Sequence, residues 1–317
     1  MKVLVTGGAG YIGSTAVAML LEQGHSVNVL DDCSTGHASS VDARADLFQE
    51  SILNSQAVAG ALQGVDAVLH FCAKSLVGES VTKPEIYWET NVYGTRILLD
   101  EMKKANVARL VFSSTAATYG EPREIPITEN EITHPTNPYG ASKLAVDYMI
   151  TSQSRAYGLA AISLRYFNVA GALRSKTGWQ TERHNPETHL IPNVLRASES
   201  NPLKIFGVDW PTKDGTCIRD YVHVVDLIGA HLSALEAAQP GTHEIINLGS
   251  GGGYSVNEVI AAAERVLGRK IPTEISSRRA GDPAILIADI TKASKYLTWS
   301  PTLDLNQMVS DAWNSIQ

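Results

Sequence analysis

Apolar residues in the first half of the chain fall in short unbroken runs. Val3–Thr6, Ser26–Leu30, Ala67–Phe71, Leu110–Ser113 and Ala161–Arg165 each read as a strand covered on both faces. Between them, the longer amphipathic stretches Tyr11–Gln23, Ser55–Leu62, Pro84–Ala105 and Tyr139–Tyr157 read as helices. This alternation predicts an α/β fold built on a doubly wound parallel sheet. After Asn168 the texture changes. Residues 171–189 are polar, with Gly, Pro and His and no clear period. Beyond them the pattern predicts helices near 190–199, 225–238, 255–267 and 304–315, and strands near 203–206 and 244–247. The expected division is a first domain over 1–168 and a smaller mixed α/β domain over 169–317, with room for later segments to return to the first sheet.

Composition narrows the classes of function. The 317 residues suffice for about two domains of ~150 residues. Lys plus Arg is 26 and Asp plus Glu is 33, a formal charge of −7, which argues against nucleic acid or an anionic membrane as partner. An apolar fraction of 44% with 19% charged residues excludes intrinsic disorder. No apolar stretch approaches the ~18 residues of a membrane span. Glycines begin at position 7, before an apolar secretion signal could develop. Cys33, Cys72 and Cys217 are far apart and read as free thiols of a cytoplasmic protein, with neither a disulfide framework nor a thiolate metal site.

The turn from Val3 to Gly13, VLVTGGAGYIG, follows a buried strand and opens a helix. Gly8, Gly10 and Gly13 fit one glycine spacing of dinucleotide turns, and Gly7, Gly10 and Gly13 fit the other. Such a turn brings backbone close to a pyrophosphate, which meets the free N–H groups and positive end of the helix dipole. Asp31 stands 18 residues after Gly13, at the end of the second strand. A carboxylate there accepts from a ribose diol and repels a 2′-phosphate, favouring NAD over NADP in a Rossmann-like domain.

Tyr139 and Lys143 open the helix after Pro138, four residues apart and so on one face. An ammonium beside a phenol favours the phenolate, the form able to act as general base. The strand ending in Phe112-Ser113-Ser114-Thr115 carries small hydroxyls at its C-terminal edge, where ligands of open α/β sheets bind.

Together these motifs resemble the extended short-chain dehydrogenase/reductase family, and within it the nucleotide-sugar epimerases. Val77-Gly78-Glu79-Ser80, Asn91-Val92-Tyr93-Gly94-Thr95, Arg165-Tyr166-Phe167-Asn168, His184–Pro192, Asp214-Gly215-Thr216, Arg219–Val224 and Arg278–Pro283 extend the resemblance over nearly the whole chain. It implies reversible inversion at C4 of a UDP-hexose, with a transient 4-keto sugar and tightly bound NAD. Tyr139 would be the base, Lys143 its modulator on the nicotinamide ribose, and Thr115 the hydrogen-bond partner of the sugar oxygen. The NAD site would take Gly7, Gly10, Tyr11, Ile12, Gly13, Asp31, Asp32, Ser34, Thr35, Ser51, Ile52, Phe71, Ala73, Asn91 and Phe167, besides Tyr139 and Lys143. UDP would be held by Asn168, His189, Leu190, Lys204, Phe206, Arg219, Arg279 and Asp282.

The resemblance also implies a homodimer formed through the helices around 84–105 and 140–157. Two positions depart from the family pattern: Ser51 replaces a common Asp, and Ser75, preceded by Lys74, replaces a common Lys. Leu286 stands at the position that gates sugar bulk, and its intermediate size leaves N-acetylated sugars open. A 4,6-dehydratase would carry an Asp-Glu pair after Thr115, where this chain has Ala116-Ala117. An epimerase of another UDP-sugar (an N-acetylhexosamine, uronate or pentose) and an idle NAD-sensing module remain the alternatives. His184 and His189, with Glu182 and Glu187, read as polar loop contacts, and no metal is expected.

Overall fold

The computed structural model describes residues 1–279 and 282–317, so Ala280 and Gly281 of the Arg278–Pro283 motif lie outside the described residues. The first half of the chain holds six strands, five of them on the apolar runs: β1 (Lys2–Thr6), β2 (Ser26–Leu30), β3 (Asp46–Phe48), β4 (Ala67–His70), β5 (Arg109–Thr115) and β6 (Ala160–Tyr166). They form a parallel sheet in the order β6-β5-β4-β1-β2-β3, and the later strand His243–Leu248 adds a seventh position beside β6. The order reverses direction between β1 and β4, which places a crevice at the C-terminal edge there.

Helices cover both faces. Against one face pack α1 (Tyr11–Glu22) and the later helix α8 (Val224–Ala237), burying Ala16, Val17, Leu20, Leu227 and Ile228 with Val3, Val5 and Leu69. Against the other pack α2 (Ser55–Ala61), α5 (Gly94–Lys104) and α6 (Pro138–Tyr157), through Val58, Leu98, Val146 and Ile150. A separate core under α7 (Leu190–Arg196), α9 (Val256–Leu267) and α10 (Leu305–Asn314) holds Ile191, Val194, Val259 and Met308. Among the described residues, no helix is long and apolar enough to cross a membrane.

Three differences from the sequence expectation matter. The stretch 84–105 is not one helix: α4 (Pro84–Tyr87) passes into a π-helical turn over Trp88–Tyr93 before α5 begins, preceded by the short α3 (Val77–Thr82). Wider turns of this kind insert a residue without interrupting the apolar pattern, so period alone does not show them. Here the Thr95 hydroxyl donates to the Asn91 carbonyl at 2.5 Å, and Gly94 faces Ile52, whose Cγ2 would lie 2.7 Å from an added Cβ. β3 was not expected, because three residues of mixed polarity carry no strand pattern. β5 runs two residues further than its apolar run, so Thr115 ends the strand itself.

Beneath the C-terminal edge, α6 is fastened to β6 by a buried ion pair. Arg165 donates through Nη2 and Nε to Asp147 Oδ2 at 2.8 and 3.2 Å, and Ser114 Oγ donates to the same oxygen at 3.3 Å. Removing one partner leaves an uncompensated buried charge. Asp147→Ala should therefore cost about 3–5 kcal/mol, read as a lower urea midpoint. An unchanged midpoint would show that this pair does not hold α6 in place.

Candidate functional site

Because the sheet strands are parallel, their C-terminal ends converge, and the expected cofactor residues collect along one edge. Gly7, Gly10, Tyr11, Ile12 and Gly13 follow β1; Asp31, Asp32, Ser34 and Thr35 follow β2; Ser51 and Ile52 follow β3; Phe71 and Ala73 follow β4; Phe167 follows β6. The glycines are sterically required. Gly7 has φ +74° and its absent Cβ would stand 2.6 Å from the Cys72 amide nitrogen, while a Cβ on Gly13 would stand 2.0 Å from the Gly7 carbonyl oxygen. The first intrahelical bond of α1 runs from Ser14 N to Gly10 O at 2.9 Å, so the amides of Tyr11, Ile12 and Gly13 precede it. A side-chain-free cradle at a helix N-terminus fits a pyrophosphate.

Asp31 does more than the spacing suggested. Its Oδ2 accepts from Ala9 N at 2.9 Å and its Oδ1 from Cys33 N at 2.8 Å, pinning the glycine turn to the end of β2. A carboxylate has roughly four acceptor sites, so capacity for a ribose diol remains. Burial raises its pKa, against the two amide hydrogen bonds. Asp32 Oδ1 accepts from Ser34 N, and both residues, like Thr35, are exposed. Lys74 donates through Nζ to Ser34 Oγ at 3.2 Å, so a lysine reaches this rim despite its shifted sequence position. Ser51 Oγ accepts from Leu53 N at 3.2 Å in a local turn, and Ile52 is buried.

Asn91 lies in the π-helical turn and is buried. Its Oδ1 accepts from Lys74 N at 2.8 Å, and its Nδ2 donates to Lys74 O and Ser142 Oγ, each at 3.0 Å. Both amide hydrogens are thus spent on protein groups, and Asn91 shapes the site wall from behind rather than offering a free donor. Tyr11, besides its amide, sends its hydroxyl to the Gly171 carbonyl at 2.6 Å, joining the glycine turn to the second half of the chain.

At the start of α6, Pro138 occupies the first turn and Asn137 caps it, accepting from Gly140 N at 2.9 Å. This fixes Tyr139 and Lys143. Thr115 caps the following turn through Ala117 N at 3.2 Å. Burial raises the Tyr139 phenol, against a smaller lowering influence of the Thr115 side chain. The expected partnership of Tyr139 with Lys143 takes another form. Lys143 Nζ donates to the Ser113 carbonyl at 2.8 Å and lies 4.7 Å from the centre of the Phe112 ring. Burial lowers its pKa to about 8. Spacing placed both residues on one face but did not set where the ammonium ends.

Three further side chains escaped sequence reasoning. Tyr166 hydrogen-bonds Ser113 Oγ, and its phenol is raised by burial and then by Tyr139. Tyr87 meets Tyr139 edge-on, with ring centres 6.5 Å apart. His70 bridges Thr6 Oγ1 at 2.6 Å and Thr95 Oγ1 at 2.8 Å, and burial, with Lys143 nearby, holds it down to about 3, hence neutral. The Arg165-Tyr166-Phe167-Asn168 motif was the one signal for Tyr166.

The eight residues expected to hold UDP all line a single cavity of about 400 Å³, a size suited to a small ligand. Arg279 stacks 4.0 Å from the Phe206 ring centre. Arg219 Nη2 stands 3.7 Å from Asp282 Oδ2, while Asp220 turns inward to hold Ser250 N, Gly251 N and Ala288 N. Asp220 is therefore not the partner of Arg219. Asn168, Lys204, Leu190 and His189 complete the set. The His189 amide already donates to Glu187 Oε1 at 2.9 Å, so the next amide, that of Leu190 opening α7, is the backbone donor offered at this point. Leu286 pairs in register with Arg219 beside the cavity. Tyr139 and Thr115 lie outside it, connected through β6: Thr115 pairs with Tyr166, two residues before Asn168.

The chain is similar to known proteins in sequence and fold. The profile of the NAD dependent epimerase/dehydratase family matches residues 3–249. The chain is 53% identical over 316 residues to a UDP-glucose 4-epimerase of Corynebacterium glutamicum, covering 99% of this chain and 95% of that protein. Crystal structures with similar folds include the UDP-glucose 4-epimerase of Brucella ovis in complex with NAD (TM-score 0.93, 40% identity, 99% and 97% of the two chains). Another is that of Bifidobacterium longum in complex with NAD⁺ and UDP (TM-score 0.91, 35% identity, 99% and 97%).

The lowered pKa of Lys143 has a signed consequence for stability. Between about pH 8 and about pH 10.4 the unfolded chain holds a proton at this lysine that the folded chain releases, so this group makes stability rise with pH across that window. Replacing it by Met in Lys143→Met should remove that rise. Parallel urea melts of the two proteins at both ends of the window test it, and the same pH slope in both would refute the lowered pKa.

Proposed function

The chain belongs to the NAD dependent epimerase/dehydratase family, and on that footing we propose that it is an NAD-dependent isomerase interconverting UDP-glucose and UDP-galactose at C4. One observation carries the choice: a cavity lined by Lys204, Arg219 and Arg279, with aromatic Phe206 and acidic Asp282, includes Asn168, two residues beyond Tyr166, the β6 partner of Thr115 at the sheet edge. Guanidinium forks suit a diphosphate, and a carboxylate suits a ribose hydroxyl.

The glycine cradle, the α1 amides and Asp31 would hold the dinucleotide. Bound NAD supplies reversible hydride acceptance, a chemistry no side chain offers, and a positive charge that favours a nearby phenolate. The remaining work falls to the protein. Tyr139 takes the proton of the sugar 4-hydroxyl and later returns it. Thr115, whose side chain acts to lower the Tyr139 phenol, supports the developing oxygen charge. Loss of hydrogen at C4 leaves a 4-keto sugar; return of hydrogen to the opposite face inverts the centre. The UDP end must be gripped throughout while the hexose turns, which matches a cavity rich in anchors for the nucleotide part and separate from Tyr139.

Tyr139→Phe should lower the rate of UDP-glucose formation from UDP-galactose by ~10²–10⁴-fold with UDP affinity retained. Near-wild-type turnover would remove Tyr139 from this role. A panel of UDP-sugars assayed by chromatography fixes the hexose, because a faster N-acetylated or uronate substrate would displace the assignment.

We also assign a homodimer and a cytoplasmic location. Trp88, Tyr93, Tyr148 and Tyr157 are exposed aromatics on the α4–α6 surface, the kind of residue that anchors an interface. The three free cysteines suit a reducing compartment. Sedimentation at micromolar concentration should give a dimer, and a monomer there would contradict the assignment.

A further inference from the structure

The polar segment between the two halves of the chain gathers two carboxylates and two imidazoles at one point. Glu182 Oε1 stands 2.7 Å from His184 Nδ1 and 2.5 Å from His189 Nδ1, and Glu187 Oε1 stands 3.0 Å from His189 Nδ1. The four donor atoms all lie within 4.8 Å of one another. We propose that Glu182, His184, Glu187 and His189 form a closed binding site for a divalent transition metal ion of the zinc class.

The donor set is chemically apt. Two imidazole nitrogens and two carboxylate oxygens match a borderline-soft ion with tetrahedral preference. Tetrahedral donors at bond lengths near 2.0–2.2 Å stand roughly 3.4 Å apart, so the closest pair needs to part by less than about 1 Å. All four residues sit in one loop before α7, where such an adjustment needs no change in the sheet.

Hydrogen bonding alone leaves the cluster unbalanced. Both ring nitrogens converge on the same Glu182 oxygen, while Glu187 Oε2 is buried with no hydrogen-bond partner, on a side chain only 5% exposed. An orphaned buried carboxylate oxygen is costly, and a cation relieves it. The outer contacts are in place as well: Glu187 Oε1 accepts from Thr188 N at 2.8 Å and His189 N at 2.9 Å, which orients the carboxylate.

With every donor from the protein, the site is structural rather than catalytic. Its position gives it a purpose. His189 also lines the UDP cavity and stands at the N-terminus of α7, and the same two glutamates, after burial, raise the phenol of Tyr11, whose hydroxyl holds Gly171. A bound ion would tie the loop between the glycine turn and the nucleotide-holding end of α7.

The test is direct metal binding by the full-length protein. After dialysis against chelator, titration with zinc alone by calorimetry should show about one ion per chain, and cobalt should give the visible absorption of a tetrahedral complex. Glu187→Gln and His184→Ala, neither of which lines the cavity, should each weaken zinc binding by at least ~100-fold. Circular dichroism of the metal-free variants checks that they fold. Absence of zinc binding by the wild type, or equal zinc affinity in wild type and Glu187→Gln, would overturn the site, whatever the outcome for epimerase activity.

Discussion

An ammonium group buried against a neutral carbonyl sets the geometry on which the proposed acid–base centre depends. Lys143 reaches from α6 to the Ser113 carbonyl in β5, two residues before Thr115. The bond joins the helix that carries Tyr139 to the strand that carries its threonine partner. Arg165 and Asp147 fix the same helix to β6 one layer deeper. The Tyr139 phenol is thus held on a rigid seam between two neighbouring strands, in surroundings dry enough to raise its pKa. A phenol so placed is poor at losing a proton unassisted, so its basicity comes under the control of whatever positive charge is brought to the sheet edge.

Much of this is legible in the amino-acid sequence. Continuous apolar strands and intervening amphipathic helices fix a doubly wound sheet, and the glycine spacing fixes a turn whose geometry admits no side chain at Gly7 or Gly13. Period and spacing stop at the side-chain head group. They place Lys143 on the face of Tyr139 but say nothing of the Ser113 carbonyl that captures it. They mark Asp31 as an acceptor but not that Ala9 and Cys33 already use it. They cannot show the π-helical turn at Asn91, because an inserted residue leaves the apolar stripe almost unbroken. The motif at Arg165–Asn168 marks Tyr166 but not its role, because its partner, Ser113, lies on another strand.

The two halves of the site solve different physical problems. The chain carries a net charge of −7, yet the cavity collects Lys204, Arg219 and Arg279. Local placement, not overall charge, therefore decides what anion it attracts. Arg279 is steadied by Phe206 and Arg219 by Asp282, so the cations are preorganised rather than free to sweep through solvent. At the sheet edge the opposite holds: the groups are small or buried, and neutral His70 and the hydroxyls of Thr6 and Thr95 fill the interior beneath.

The strand His243–Leu248 joins β6 in parallel register, from Ala161 opposite His243 to Tyr166 opposite Leu248. Its arrival is late in the chain, after the whole of the cavity's middle section. During synthesis on the ribosome, β6 must wait with one flank uncovered, an adhesive ladder open to wrong partners. Only when that last neighbour docks is the edge sealed, so the maturation of the first half is hostage to completion of the second, and a nascent chain halted in between is a natural client for chaperones.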